Sequence, residues 1–378
     1  MAESQDRELA DILVAQAVVA AAPPRPEIQR RNQFRGELLR AAFGPEVRPS
    51  EVHERIVTFA GAASPNTLRA LLSDLRVVDA FQRRYARPAL PIAPRALHLL
   101  IAERADAGAA KSSIDRLVAS MVRLHSLLQL PSPVDDIVRW KQQEIRRSDT
   151  RPVRQALGLR LKGDVSDVLR GKPQPLSLLQ LLEHIPGDLA GLRDRALIAV
   201  GYDAGLRASE LVPIDLSHIK PATDGEASLF IPRSKTDQES EGGWAWLSAR
   251  SVRHLNAWIK VAKIAEGHVF RPLSYRVGAR GHLGEGTVSR ILKSRLRQYL
   301  GDLVERGTMT GEEAATIVAQ TSAHSVRVGC DQDLFAAGVD IGAVMQALRW
   351  TSPRQPLAYA RHLAPATSKA AALMRRVR

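Results

Sequence analysis

One cysteine, Cys330, stands among 378 residues. That excludes an intramolecular disulfide framework and any zinc site built on thiolates, and a reducing cytosol is the compartment it predicts. Aromatic residues make up only 4% of the chain, too few for the stacking platforms that hold single-stranded nucleic acid. The ten histidines are scattered, without the spacing of a metal site. Long hydrophobic runs are missing as well. The stretch Ile12 to Ala22 is apolar but short, is interrupted by Gln16, and follows Glu3, Asp6, Glu8 and Asp11. It predicts an N-terminal helix rather than a membrane span or a secretory leader. There is no internal repeat and no low-complexity tract.

Acidic residues are in deficit too. Lys and Arg number 54 against 40 Asp and Glu, which leaves a net charge of +14 and a pI near 10.4. The excess runs through the whole chain, as expected for a polyanionic partner, and the scarcity of aromatics favours duplex phosphate over unpaired bases. The length is enough for two domains, each with a core of its own.

Residues 1–60 read as a helical extension broken at Pro23-Pro24-Arg25-Pro26, with a basic helical stretch around Arg30 to Ala42. A helical unit over 61–148 opens with Ser64 as N-cap and Pro65 in the first turn. Leu68, Leu71, Leu72, Leu75, Val78 and Phe81 then recur at helical spacing, and further helices are predicted over 95–107, 112–128 and 134–147. In the helix over 112–128, Ile114, Leu117, Val118, Met121, Leu124 and Leu128 form the apolar stripe. Ser112, Arg116, Ser120 and Arg123 share another face, suited to phosphate and groove contact; a plain solvated face is the competing reading. Arg146 and Arg147 add basic groups where this unit meets a Pro-interrupted linker over 149–175, in which a short helix after Leu161 is one option. A second domain is predicted over 176–378. In it, Ser228 to Asp237 and Gly242 to Ser248 read as two strands of a hairpin with Lys235 near the tip. Helices are predicted around it, and a basic amphipathic tail helix closes the chain over 365–378.

Chemistry-bearing residues gather in the second domain. Gly205 breaks a helical pattern just ahead of Arg207 and Glu210, which lie three apart on a new helix, where an ordinary surface ion pair is the plain reading. His324 and Arg327 have the same spacing. Trp350 ends a helical segment, and Tyr359 follows beyond Pro353 and Pro356, which break the connection.

Five stretches carry a resemblance. They are Ala-Gly-Leu-Arg-Ala-Ser-Glu-Leu (204–211), Pro-Arg-Ser-Lys-Thr-Asp (232–237), Ala-His-Ser-Val-Arg-Val-Gly (323–329), Ala-Gly-Val-Asp-Ile-Gly-Ala-Val-Met-Gln-Ala (337–347), and Trp350 with Tyr359 nine residues on. In this order and spacing the chain resembles the tyrosine recombinases, the phage-integrase superfamily, over about residues 60–378. The resemblance implies a mainly α fold with a small β-sheet, in a two-domain C-shaped clamp: a helical core-binding domain and a catalytic domain. It implies a site-specific recombinase that cleaves and rejoins double-stranded DNA through a 3′-phosphotyrosyl intermediate, as a homotetramer on two paired sites. Tyr359 would be the nucleophile. Arg207 and Arg327 would hold the nonbridging oxygens, His324 and Trp350 would add contacts, Lys235 would protonate the leaving 5′-oxygen, and Glu210 would position the assembly. No cofactor, metal or ATP is implied, since two Arg and one Lys supply the positive charge. The protein would be cytoplasmic and associated with the nucleoid, with accessory proteins as a further class of partner. The tail would dock on a neighbouring protomer; packing on its own domain is the alternative.

Two departures from the family pattern stand out. Arg349 occupies a position where the family usually has Gly, with Pro353 and Pro356 crowding the approach to Tyr359, and the 157–175 stretch is longer than an ordinary linker. A type IB topoisomerase uses the same chemistry, and a catalytically silent DNA-binding relative would keep the fold. The silent relative should have lost a chemical residue, and none of the seven is missing.

Overall fold

The computed structural model describes residues 32–34, 36–38, 50–151, 155–164, 176–232, 242–273, 281–361, 363, 373–374 and 376–377. They fall into two units, Met1–Pro152 and Val153–Arg378.

The first unit is helical. Its described helices are α1 (Ser50–Ala62), α2 (Pro65–Arg83), α3 (Pro94–Asp106), α4 (Lys111–Leu127) and α5 (Asp136–Ser148). Local chemistry accounts for where they begin. Ser64 Oγ accepts from the backbone N–H of Thr67 with Pro65 in the first turn, and Asp135 caps α5 by accepting from Val138. The stripe Leu68, Leu71, Leu72, Leu75, Val78 and Phe81 is buried, and so is its counterpart on α4. Phe34, Leu38, Ile56 and Ala60 are buried in the same cluster, so part of the predicted extension over 1–60 belongs to this core. The predicted N-terminal helix over 12–22 lies outside the described residues.

One expectation fails on α4. Ser112, Arg116 and Arg123 are exposed, but Ser120 is buried. Its hydroxyl donates to Asp74 Oδ2 over 2.6 Å, and Arg116 reaches the same oxygen at 3.0 Å. Asp74 is itself buried on α2, and burial raises its pKa against the opposing pull of Ser120 and Arg116. Ser120 therefore satisfies a carboxyl group between two helices, which removes it from the outward row.

The second unit carries α6 (Leu178–His184), α7 (Leu189–Asp203), α8 (Ala208–Leu211), α9 (Ala249–Val261), α10 (Glu285–Glu305), α11 (Gly311–Gln320), α12 (Ser325–Ala336), α13 (Ile341–Leu348) and α14 (Arg354–Ala360). Strands β1 (Ile219–Pro221), β2 (Ala227–Ile231) and β3 (Gly243–Leu247) form an antiparallel sheet in that order. The hairpin of β2 and β3 is as expected; β1 was not. Alternation decides the faces. Ala227, Leu229, Ile231, Ala245 and Leu247 are buried, while Trp244 and Trp246 stand on the exposed side. Helix α7 is buried from Ala196 to Tyr202 without a polar stripe, as a central helix must be.

Residues 155–164 belong to this unit, which shortens the linker predicted over 149–175. Leu157 N–H donates to Gln320, Leu159 N–H to Ser325 and Leu161 N–H to Asp333, and Leu159 is buried. Gly329 explains how this segment lies so close to α12, since a side chain there would collide with the carbonyl of Leu159. Residues 161–164 are not helical, and the remainder of the short helix considered there lies outside the described residues. Most of the tail over 365–378 does so too. Among the described residues no helix is long and apolar enough to cross a membrane.

Candidate active site

The site starts where α7 ends. Ala204 closes the helix, and Gly205 turns the chain at φ +54°, where any side chain would also strike Leu348. That turn delivers Arg207 to the start of α8. Its backbone N–H donates to Glu210 Oε2 at 3.1 Å, and its Nη1 meets Oε1 at 2.7 Å. The pair is not the surface bridge its spacing suggested: the Glu210 side chain is only 2% exposed. A buried carboxylate of this kind is held by its cations, and removing one partner of such a pair costs about 3–5 kcal/mol.

Helix α12 supplies the next two groups. His324 stands at its N-cap, where its N–H donates to Ser322 Oγ. Arg327, one turn in, is completely buried. Its Nη1 donates to the carbonyl of Gly205 and its Nη2 to that of Leu348 at 2.7 Å. Arg327 thus ties the end of α13 to the turn before Arg207, in addition to lending charge. Its Nε has no partner among the described residues, and neither has the indole Nε1 of Trp350. Trp350 follows α13, with the Arg327 guanidinium 4.2 Å and the Arg207 guanidinium 5.5 Å from its ring.

Tyr359 comes from α14. Pro353 is the N-cap of this helix and Pro356 sits within its first turn, where no intrahelical N–H is needed, so the two prolines set the helix rather than obstruct it. The Tyr359 hydroxyl lies 2.6 Å from His324 Nε2, and its ring meets Trp350 at 5.9 Å between centroids. Gln332 Nε2 donates to the Tyr359 carbonyl from α12.

Electrostatics follow from burial among cations. Burial, with Arg327 and Arg207 close by, pushes His324 down to about 4, so its imidazole is neutral at neutral pH. Burial raises Tyr359, with the two arginines pulling the other way. Arg327 falls to about 10, chiefly through burial, and keeps its charge. Asp331, one turn beyond Arg327, is fully buried with neither carboxyl oxygen hydrogen-bonded among the described residues, and burial lifts it to about 7.

Of the seven residues predicted for catalysis, Arg207, Glu210, His324, Arg327, Trp350 and Tyr359 come together. Lys235 lies outside the described residues, although the pair Ile231 and Gly243 marks both ends of its segment. In the other unit, Arg146 pairs with Asp115 at 3.0 Å while Arg147 is exposed. Two residues were not foreseen as parts of the site. Asp331 carried only the weak signal of four-residue spacing from Arg327 on one helix. Arg349 was visible as a departure, but nothing in the sequence said where its side chain would go.

The chain is similar to known proteins over most of its length. The family model described as Phage integrase family matches residues 174–365. Recombinase cre of Escherichia phage P1 is 25% identical over 307 residues, covering 80% of this chain and 85% of that protein. An integrase/recombinase xerD homolog of Selenomonas ruminantium is 27% identical over 289 residues, covering 70% and 80%. Among solved structures, XerH site-specific recombinase bound to palindromic difH substrate aligns with TM-score 0.54 at 12% identity, over 92% of this chain and 95% of that one. The Tn1549 transposon integrase in complex with transposon right end DNA aligns with TM-score 0.53 at 13% identity, over 92% and 98%. At such identities the structural likeness concerns the fold alone.

Proposed function

The chain belongs to the phage integrase family, and on that basis we propose that it is a site-specific recombinase that breaks and reseals duplex DNA through a tyrosyl ester. The observation that supports this most is the Tyr359 hydroxyl set against a neutral His324, beside Arg207, Arg327 and an indole N–H with no acceptor among the described residues. A phosphodiester entering there meets a nucleophile, a proton acceptor and donors aimed at its oxygens.

In this reading Tyr359 attacks phosphorus. A free phenol is less than about one percent ionised at neutral pH, so its proton must leave as the oxygen–phosphorus bond forms. His324 Nε2 is placed to accept it. Arg207 stabilises the charge that grows on the nonbridging oxygens, and the buried Arg327 adds its positive charge from behind. Glu210 holds the arginines in register. The 3′-phosphate stays on Tyr359 and the 5′-oxygen leaves as a hydroxyl, with Lys235 as its proton donor. The ester keeps the phosphoryl bond energy, so rejoining needs no nucleotide. Four chains on two paired sites would carry out the exchange, and Arg123 and Arg147 of the first unit would contribute to duplex binding.

The test is covalent capture of DNA. Tyr359→Phe removes one oxygen and should abolish the protein–DNA band in denaturing gels while leaving affinity within about twofold. A band that survives in the Phe variant rules this nucleophile out. Light scattering of the complex with paired sites should give the mass of four chains.

A further inference from the structure

Helix α13 ends in the left-handed conformation, and the residue that adopts it is Arg349, at φ 54° and ψ 50°. The N–H of Arg349 bonds back to Gln346 and that of Trp350 to Met345, closing the helix in the way that usually calls for glycine. Every other L residue is disfavoured there by its Cβ. Ala86, Gln129, Asp224 and Lys263 take positive φ as well, so the backbone alone assigns Arg349 no role; its side-chain contacts do. The side chain is 13% exposed and turned inward. Its Nη2 donates to the carbonyl of Ala204 at 2.8 Å and stands 3.9 Å from Glu210 Oε2. Its Nη1 reaches the carbonyl of Ala347 at 3.3 Å. The stem runs across Gly243 so closely that a Cβ on that glycine would lie 2.8 Å from Arg349 Cδ.

Arg349 and Arg327 therefore fasten the same two pieces of backbone. Arg327 binds the carbonyls of Gly205 and Leu348, and Arg349 binds those of Ala204 and Ala347. Between 204 and 207 the chain makes the turn that aims Arg207, and directly after 349 comes Trp350. Glu210 then has three guanidinium groups around it: Arg207 in contact, Arg327 and Arg349 each at 3.9 Å.

We infer that Arg349 is a positioning residue for the cleavage reaction, locking the Ala204–Arg207 turn to the end of α13 and holding Glu210 so that Arg207 and Trp350 stay aligned on the scissile phosphate. This rests on the recombinase reading above. The contacts of Arg349 are the carbonyls of Ala204 and Ala347 and the Glu210 carboxylate, so it acts through Arg207 and Trp350.

Three variants separate this from a merely tolerated arginine. Arg349→Gly suits the left-handed backbone and removes the side chain. Arg349→Met keeps the stem over Gly243 without donors, and Arg349→Lys keeps a charge and a donor. Single-turnover capture of nicked-site DNA by the full chain, with affinity measured separately, gives the readout. Arg349→Gly and Arg349→Met should lose roughly tenfold or more in rate at saturating DNA, because small misplacements of reacting groups are costly. Half-saturation should stay within about twofold, and Arg349→Lys should recover most of the rate. Should the Gly variant fail to unfold cooperatively, the Met variant decides. A folded Met or Gly variant that cleaves at the wild-type rate overturns the inference, as does a Lys variant as slow as Met. Wild-type protein that captures no DNA overturns the recombinase reading itself, and this inference with it.

Discussion

His324 Nε2 lies 2.6 Å from the Tyr359 hydroxyl, with the two rings edge to face at 69°. The contact brings together α12 and α14, and its chemical sense depends on the histidine being neutral. A charged imidazole has no lone pair to offer a phenol. Burial and the arginines at its side keep the proton off.

A pH profile follows. With His324 near 4 in the free protein, the second-order rate of covalent capture should stay flat as pH falls from 7.5 to 5.5. An ordinary imidazole, at 6.5, would be about 90% protonated at pH 5.5, and the rate would drop roughly tenfold. Bound phosphate raises His324 by offsetting the arginines, so the acid limb at saturating DNA should lie at higher pH than the second-order limb. A second-order limb centred near 6.5 would exclude the depressed histidine.

Lys235→Ala should slow cleavage by about 10²-fold or more, and a substrate with sulfur at the 5′-bridging position should restore it, since a thiolate leaves without a proton. If the sulfur substrate is cleaved no faster by the variant, some other group is the acid.

Asp331 gives a stability prediction with a definite sign. Its folded pKa of about 7 exceeds the unfolded value of 3.8, so the folded state binds more protons between those limits. The stability associated with the neutral carboxyl is present below pH 3.8 and is lost as pH rises through 7. Asp331→Asn keeps the shape but cannot ionise, so it should stabilise the protein at pH 8, where the wild-type carboxylate is buried as an ion, by on the order of 1–3 kcal/mol, and by much less at pH 4. Thermal unfolding at the two pH values checks this; equal shifts at both would contradict it.

The helical unit offers a contrast between exposed and tethered arginines. Arg123→Ala should weaken duplex binding and reduce the slope of log affinity against log salt by about 1. Arg116→Ala should in addition lower stability by about 1–3 kcal/mol, because Asp74 stays buried without its ion pair. Unchanged salt slopes in filter binding would return the row to a solvated face. Equal stability of the two variants would mean that the contact with Asp74 has no energetic weight.

Much of this protein was legible without coordinates, for definable reasons. Helical periodicity reports which stripe of a helix is apolar, and it identified the cores around Leu68 to Phe81 and Ile114 to Leu124. The motifs that hold Arg207, Glu210, His324, Arg327, Trp350 and Tyr359 carried the family resemblance, and the family match over residues 174–365 agrees with it. Periodicity is silent about a polar residue at the edge of a stripe. Ser120 faces inward because Asp74, on another helix, needs a hydrogen bond. Distance along the chain hides Glu210 in the same way: it is buried by Arg327 and Arg349, which arrive from α12 and the end of α13. The linker over 149–175 looked free because its polar composition cannot reveal that Leu157, Leu159 and Leu161 donate to backbone and carboxyl groups beside α12. Arg349 is the clearest case. The sequence alone marked it as an odd residue, whereas its left-handed backbone and the nearby Ala204 carbonyl determine where its side chain goes, and both exist only once the chain has folded.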